Sequence, residues 1–192
     1  LGVIHRNISE GPIRSVEINC YGTLDQIKPI SLSFLRSLLQ NRVPERVNFI
    51  NAETIAKELG IELSINYSTS NSNYSNLISA RVIAKNDIIF EGSVFNDDLP
   101  RLVNLMGYKM EVNLKGTLLF IQNDDVPGVV GKVGTILGKK RINIGAYLLS
   151  QHSKEKLAFA VIRLDSPIDE ELISELKDVE ELKFVNQIQI NS

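Results

Sequence analysis

The chain has 192 residues, of which 43% are hydrophobic and 23% are charged, an ordinary composition for a globular protein with one large or two small domains. The formal net charge of −2 leaves no broad cationic field to attract nucleic acid or an anionic membrane. No apolar run approaches 18 residues, no signal peptide is recognisable, and the single cysteine, Cys20, cannot form an internal disulfide, so we expect a cytoplasmic protein.

The first half of the chain combines strands with two helices. Val16, Ile18 and Cys20 alternate with polar neighbours, which predicts a half-buried strand with the thiol in the core. Leucines at helical spacing predict a helix over residues 31–40, and Asn51 is a suitable N-cap for a second helix. Alternating or apolar runs predict four further strands, at residues 61–67, 77–84, 88–94 and 102–105.

Two segments of this half have no regular pattern. In residues 1–12, His5 has no cysteine and no second histidine at ligand spacing, so we expect it on the surface. Residues 68–76 are rich in serine and asparagine and predict a mobile loop. An anion-binding loop is the alternative there, because hydroxyl and amide groups can coordinate phosphate.

The second half predicts the order β-α-β-β-α-β, the ferredoxin-like arrangement. An apolar run at 118–121 predicts the first strand, an amphipathic pattern at 128–140 predicts the first helix, and Pro127 suits a first helical position. Exposed edges of such a sheet would be covered by pairing two subunits. The remaining elements are strands at 142–149 and 157–164, a helix at 169–176 and a strand at 183–190.

Three glycines, Gly131, Gly134 and Gly138, line one narrow face of the helix predicted at 128–140. Each costs about 1 kcal/mol relative to alanine in a helix interior, which suggests that something approaches this face closely. The approach is either packing of the helix backbone on its own sheet, or contact with a ligand or a second subunit. Both interpretations stay open at this point.

The turn before the same helix suits a small zwitterion. A helix N-terminus offers unpaired N–H groups and the positive end of the helix dipole, which favours a carboxylate. Asp125 and the amide oxygens of Asn123 and Asn143 can accept hydrogen bonds from an ammonium group. A free amino acid has both groups, although Asn and Asp residues before a helix commonly act only as caps.

A family resemblance supports the amino-acid hypothesis. The motif Asn123-Asp124-Asp125-x-Pro127-Gly128-Val129, with Asn143 further on, resembles an ACT domain, a module that commonly binds amino acids at subunit interfaces. The closer resemblance is to the ACT domain of D-3-phosphoglycerate dehydrogenase, the NAD-dependent enzyme that begins serine synthesis. It implies homodimers or homotetramers and a site for L-serine or a related amino acid, formed by Asn123, Asp125, Pro127, Gly128, Val129 and Asn143.

Residues 13–113 resemble the intervening regulatory domain of the long form of the same dehydrogenase. The matching features are Arg46-Val47-Asn48 with Asn51-Ala52, Asn76-Leu77, and Gly92-Ser93-Val94-Phe95 before Pro100-Arg101. That domain has been proposed to bind substrate or phosphate-like anions, and the resemblance implies Arg46, Arg101 and Lys109 as basic contacts. It also implies that residues 1–12 are the tail of a preceding catalytic part and that residues 116–192 are the ACT domain. The predicted fold class is therefore α+β, with a mixed α/β intervening domain followed by a ferredoxin-like ACT domain.

Catalytic chemistry is not predicted for this chain. The sequence contains no Gly-x-Gly-x-x-Gly, Walker-type loop, His-Glu-x-x-His or Gly-x-Ser-x-Gly, and one cysteine cannot hold a zinc ion or an iron–sulfur cluster alone. We expect no catalytic residue, metal or cofactor here, whereas the resemblance implies NAD in the parent enzyme. Two alternatives remain: the small subunit of an iron–sulfur L-serine dehydratase, and a purely structural tetramerisation module.

Overall fold

The computed structural model of the chain describes residues 1–9, 11–24, 26–69, 74–95, 99–152 and 155–190. It forms two compact units, Leu1–Met106 and Gly107–Ser192, whereas the sequence analysis ends the first domain at residue 113. Both units combine helices with β-sheet, which confirms the predicted α+β class. None of the helices in these ranges is long and apolar enough to cross a membrane. The serine- and asparagine-rich loop predicted at 68–76 lies in part outside the described residues.

The described residues of the first unit form three helices and five strands. Its strands lie in the order β2-β1-β3-β4-β5, in which β1 is parallel to β2 and the other neighbours are antiparallel. The helices are α1 (Gly2–Ile8), α2 (Ile27–Leu39) and α3 (Ala52–Glu58), and the strands are β1 (Ser15–Gly22), β2 (Glu62–Ser68), β3 (Asn76–Ile83), β4 (Asp87–Val94) and β5 (Pro100–Leu105).

The core of this unit is formed where α2 and α3 cover the sheet. The predicted alternation in β1 is confirmed, because Val16, Ile18 and Cys20 are buried and their neighbours are partly exposed. They pack in one cluster with apolar residues of the two helices, such as Leu35 and Ala56. Cys20 is a free thiol in this core, and burial raises its pKa above the ordinary value.

The prediction that His5 lies on the surface is wrong. His5 belongs to α1, which packs against α2, and its side chain is fully buried with its ring edge-on to Phe90 at 5.7 Å between centroids. Within the part of the chain that the structure describes, neither ring nitrogen has a hydrogen-bond partner. Burial, and then the nearby positive charge of Arg42, lower the pKa of His5 to about 4.

The second unit has the predicted β-α-β-β-α-β order, which is confirmed, preceded by one strand that the sequence analysis missed. Its sheet has the order β10-β7-β9-β8, and both β7 and β8 are antiparallel to β9, so β7 and β8 run in the same direction. The elements are β6 (Tyr108–Asn113), β7 (Gly116–Asp124), α4 (Val129–Lys139), β8 (Ile144–Gln151), β9 (Leu157–Leu164), α5 (Glu170–Lys177) and β10 (Leu182–Ile190).

Helices α4 and α5 cover one face of this sheet. Val133 and Leu137 of α4 and Leu176 of α5 pack against inward-facing strand residues such as Leu119 and Ile121. The other face carries aromatic residues, including the pair Tyr108 and Phe159 at 5.3 Å between centroids. The site described below lies on the helix-covered face.

The three glycines of α4 do not pack against the sheet of their own chain. A Cβ atom built on Gly131, Gly134 or Gly138 would meet no heavy atom within 4 Å. This finding overturns the first interpretation of the glycine face, because backbone packing on the sheet would leave no room for a methyl group. The glycine face of α4 is therefore open along its length in the described chain.

Candidate functional site

The turn between β7 and α4 differs from the sequence prediction at its helix end. Pro127 is not the first helical residue, because Gly128 is the N-cap and adopts the left-handed conformation (φ +97°), so that α4 begins at Val129. Asn123 and Asp124 belong to β7, Gly128 has no side chain, and α4 receives no side-chain cap hydrogen bond from the described residues. The asparagine and aspartate residues of this turn therefore do not cap α4, and the first N–H groups of the helix remain available to a ligand.

Asn123, the next-to-last residue of β7, has an unsatisfied acceptor. The residue is only 4% exposed, and its Nδ2 donates to the backbone oxygen of Asp124 at 2.6 Å. Its Oδ1 is buried and has no hydrogen-bond partner among the described residues. Leaving a buried polar atom unpaired costs roughly 1–3 kcal/mol, so this oxygen is a place where a donor on a ligand would be strongly favoured.

Asp125 presents a carboxylate at the surface of the same turn. Its backbone nitrogen donates to the oxygen of Lys156 at 3.0 Å, which holds the turn against the start of β9. Its Oδ2 accepts from Nε2 of Gln151 at 2.8 Å. Gln151 is the last residue of β8, and sequence reasoning missed it because it lies 26 residues beyond Asp125 in the chain.

Asn123 and Gln151 lie in one row across the sheet. Both are paired in register with Ala158 of β9, Asn123 from one side and Gln151 from the other. Directly opposed residues of antiparallel strands point to the same face, so the two polar side chains flank the small Ala158 at a backbone separation of about 10 Å, two strand spacings. The row lies at the end of the sheet where β7 leads into α4.

Two ion pairs surround this end of the sheet. Lys183 pairs with Asp124 at 2.9 Å, and Lys132 of α4 pairs with Glu181 at 2.5 Å. The hydrogen bond from Lys132 lowers the pKa of Glu181 below its ordinary value. These two acids have basic partners, whereas the side chain of Asp125 has one donor among the described residues, the neutral amide of Gln151.

Asn143 does not join this group within one chain. It lies directly before β8, where Ile144 is in register with Leu164 of β9, whereas Asn123 is in register with Ala158. Six residues of β9 separate these positions, a distance of about 20 Å along a strand. Asn143 is exposed, and its backbone is held by Asp165, which accepts from its nitrogen at 3.3 Å. The predicted effector residues therefore form two groups at opposite ends of the sheet.

Comparison with known proteins assigns both units to families. Residues 1–106 match the model of the D-3-phosphoglycerate dehydrogenase intervening domain, and residues 117–181 match the ACT domain. The chain belongs to the D-3-phosphoglycerate dehydrogenase intervening-domain family. The resemblance of both halves to the regulatory part of this dehydrogenase is thereby confirmed, with an intervening domain followed by an ACT domain.

Several curated relatives match nearly the whole chain. D-3-phosphoglycerate dehydrogenase of Bacillus subtilis is 29% identical over 99% of this chain and 37% of its own length. The Methanocaldococcus jannaschii protein of the same name is 29% identical over 99% of the chain and 36% of its own length. The Mycobacterium leprae protein of that name is 28% identical over 88% of the chain and 33% of its own length. The chain thus spans about a third of the length of these relatives.

Two of the basic residues predicted to contact an anion, Arg46 and Arg101, lie at different places in the intervening domain. Arg46 is exposed and precedes α3, which packs beside β2, whereas Arg101 lies on β5, four strand positions away from β2. The Arg101 guanidinium lies over the ring of Phe95, at 4.7 Å from its centroid. Lys109 belongs to β6 of the second unit. The anion site stays a prediction, and no group of histidine, cysteine or acidic side chains in the described ranges is arranged to hold a metal.

Proposed function

We propose that this chain is the regulatory, oligomerising part of a D-3-phosphoglycerate dehydrogenase and that its ACT domain binds L-serine or a related amino acid. The observation that carries the proposal is the buried, unpaired Oδ1 of Asn123 beside a helix start without a side-chain cap. The first supplies an acceptor for the ammonium group of an amino acid, and the second supplies N–H donors for its carboxylate. The family membership of both units supports this interpretation.

A complete site requires two copies of the ACT domain. Strand β8 is an edge of its sheet and contains neither a charged residue nor a proline, the features that usually protect an edge from pairing. A two-fold axis that joins identical edge strands makes them antiparallel. Asn143 of the partner subunit, at the beginning of its β8, would then lie beside Asp125 and Gln151 at the end of this one.

The effector would act by binding one arrangement of the subunits more tightly than another.

The parent protein would oxidise 3-phosphoglycerate with NAD, the first step of L-serine biosynthesis, in the cytoplasm. The residues of this chain do not fit NAD, because no Gly-x-Gly-x-x-Gly is present and Gly131 and Gly134 lie inside α4 rather than in a loop before it. We therefore expect no NADH formation from 3-phosphoglycerate by this chain alone.

Calorimetric titration of the 192-residue chain with L-serine tests the proposal. Asp125→Ala removes a carboxylate that would accept from the ammonium group, a loss of about 2–3 kcal/mol that raises Kd roughly 30-fold or more. Asp178→Ala is the matched control, because Asp178 is an exposed carboxylate at the end of α5. Binding that is equal in Asp125→Ala and in the unsubstituted chain would remove this turn from consideration.

A further inference from the structure

Gln151 is a polar residue of the candidate site that neither the family motif nor the proposed site includes. It ends β8, is exposed, and donates through Nε2 to Asp125 Oδ2 at 2.8 Å. An amide carries one donor group and one acceptor group. Because the nitrogen of Gln151 faces the Asp125 carboxylate, its Oε1 remains as an acceptor next to that carboxylate, and it accepts no hydrogen bond from the described residues.

The row through Ala158 places this acceptor opposite Asn123. The two side chains flank Ala158 on the same face of the sheet, and their backbones are about 10 Å apart. Ala158 is fully buried, whereas the side chain of Gln151 is exposed where it meets the Asp125 carboxylate. A ligand would therefore reach this row from the side of Gln151 and Asp125, with the buried Oδ1 of Asn123 beyond them.

The number of acceptors matches the chemistry of a primary ammonium group. Such a group has three N–H donors and no acceptor. Asn123 Oδ1, the Asp125 carboxylate and Gln151 Oε1 are three acceptors on adjacent elements, and only one of them is charged. A free carboxylic acid without the ammonium group would find no donor partner in this set.

We propose that Gln151 is a further effector-binding residue, which orients the Asp125 carboxylate through Nε2 and accepts from the ammonium group of the amino acid through Oε1. This inference rests on the proposed function. Gln151 also lies at the end of β8 that antiparallel pairing would bring to Asn143 of the partner subunit. It would therefore connect the two halves of the site and determine selectivity for ligands that carry an ammonium group.

The test compares two ligands on Gln151→Ala. L-serine carries the ammonium group, whereas 3-hydroxypropionate keeps the carboxylate and the hydroxyl group but lacks it. We expect Gln151→Ala to raise the Kd for L-serine about tenfold, as for the loss of one hydrogen bond to a charged group, and to leave that for 3-hydroxypropionate unchanged. The control is Gln189→Ala, which should leave the Kd values of both ligands unchanged. Gln189 is an exposed strand glutamine in register with Thr117, at the other end of the sheet.

The outcomes separate the two proposals. If Gln151→Ala binds L-serine as the unsubstituted chain does, while Asp125→Ala does not, the role of Gln151 is refuted and the proposed function stands. If Gln151→Ala weakens the binding of both ligands equally, the role of Gln151 is also refuted, because Gln151 would then act only on the shape of the β8–β9 hairpin. If the unsubstituted chain binds no L-serine, the proposed function fails and this inference fails with it.

Discussion

Replacing His5 with leucine should change how the stability of the chain depends on pH. The imidazole of His5 is fully buried, and no described residue forms a hydrogen bond with either of its nitrogens. The folded chain therefore holds it neutral, with its pKa lowered to about 4 from an ordinary value of 6.5. Leucine has a similar volume and no polar atom, so it removes both the unpaired nitrogens and the titration.

The sign and the magnitude follow from the two pKa values. Above pH 6.5 the residue is neutral in both the folded and the unfolded chain and contributes no pH dependence. Between pH 6.5 and 4 only the unfolded chain takes up the proton, so the free energy of unfolding falls with decreasing pH. A difference of about 2.5 pKa units at about 1.4 kcal/mol each gives a loss of roughly 3 kcal/mol by pH 4.

Urea unfolding of both proteins at pH 7.5, 5.5 and 4.5 measures this loss of stability. A loss of this size shifts the urea concentration at the midpoint of unfolding by about 1 M. All other titrating groups are common to the two proteins, so their contributions cancel in the difference. We expect His5→Leu to lose less stability than the unsubstituted chain as the pH falls. Parallel pH dependence in the two proteins would show that His5 titrates in the folded chain as it does in the unfolded chain, and would refute a lowered pKa.

Two glycine substitutions test the backbone of the two units, and they should have opposite effects. Gly134→Ala should raise the free energy of unfolding by about 0.5–1 kcal/mol, because the added methyl group meets no atom within 4 Å and alanine favours the helix. A lower stability in thermal unfolding would contradict an open glycine face. Gly22→Ala should lower the free energy of unfolding by at least about 2 kcal/mol, because Gly22 has φ +92° and a Cβ there would lie 2.1 Å from the backbone oxygen of Ser75. An unchanged midpoint of urea unfolding would contradict this prediction.

Local sequence signals predicted most of the second unit. Asp169 caps α5 through Oδ1, which accepts from the nitrogen of Leu172 at 2.8 Å, as expected for an aspartate directly before an amphipathic helix. The strand β6 also had a signal, because Tyr108, Met110 and Val112 are buried and alternate with polar residues. It was missed because it follows directly on Gly107, a residue type that marks a turn.

Tertiary structure decided the features that could not be predicted. The burial of His5 depends on how α1 packs on α2, and seven helical residues are too few for a clear amphipathic pattern. The contact between Gln151 and Asp125 depends on the register of β8 against β9, which residue spacing does not give. The separation of Asn143 from Asn123, in contrast, follows from the predicted β-α-β crossover, because strands joined in this way are parallel and begin at the same end.

The position of Asn143 at the far end of the sheet from Asp125 has a genetic consequence. If each site takes Asp125 from one copy and Asn143 from the other, Asp125→Ala and Asn143→Ala copies should both be inactive in binding when expressed separately. In a hybrid dimer of the two, one site carries both substitutions and the other carries neither. Co-expression of the two defective alleles should therefore restore one of the two sites in every hybrid dimer, an intersubunit complementation that a site contained in one chain could not produce.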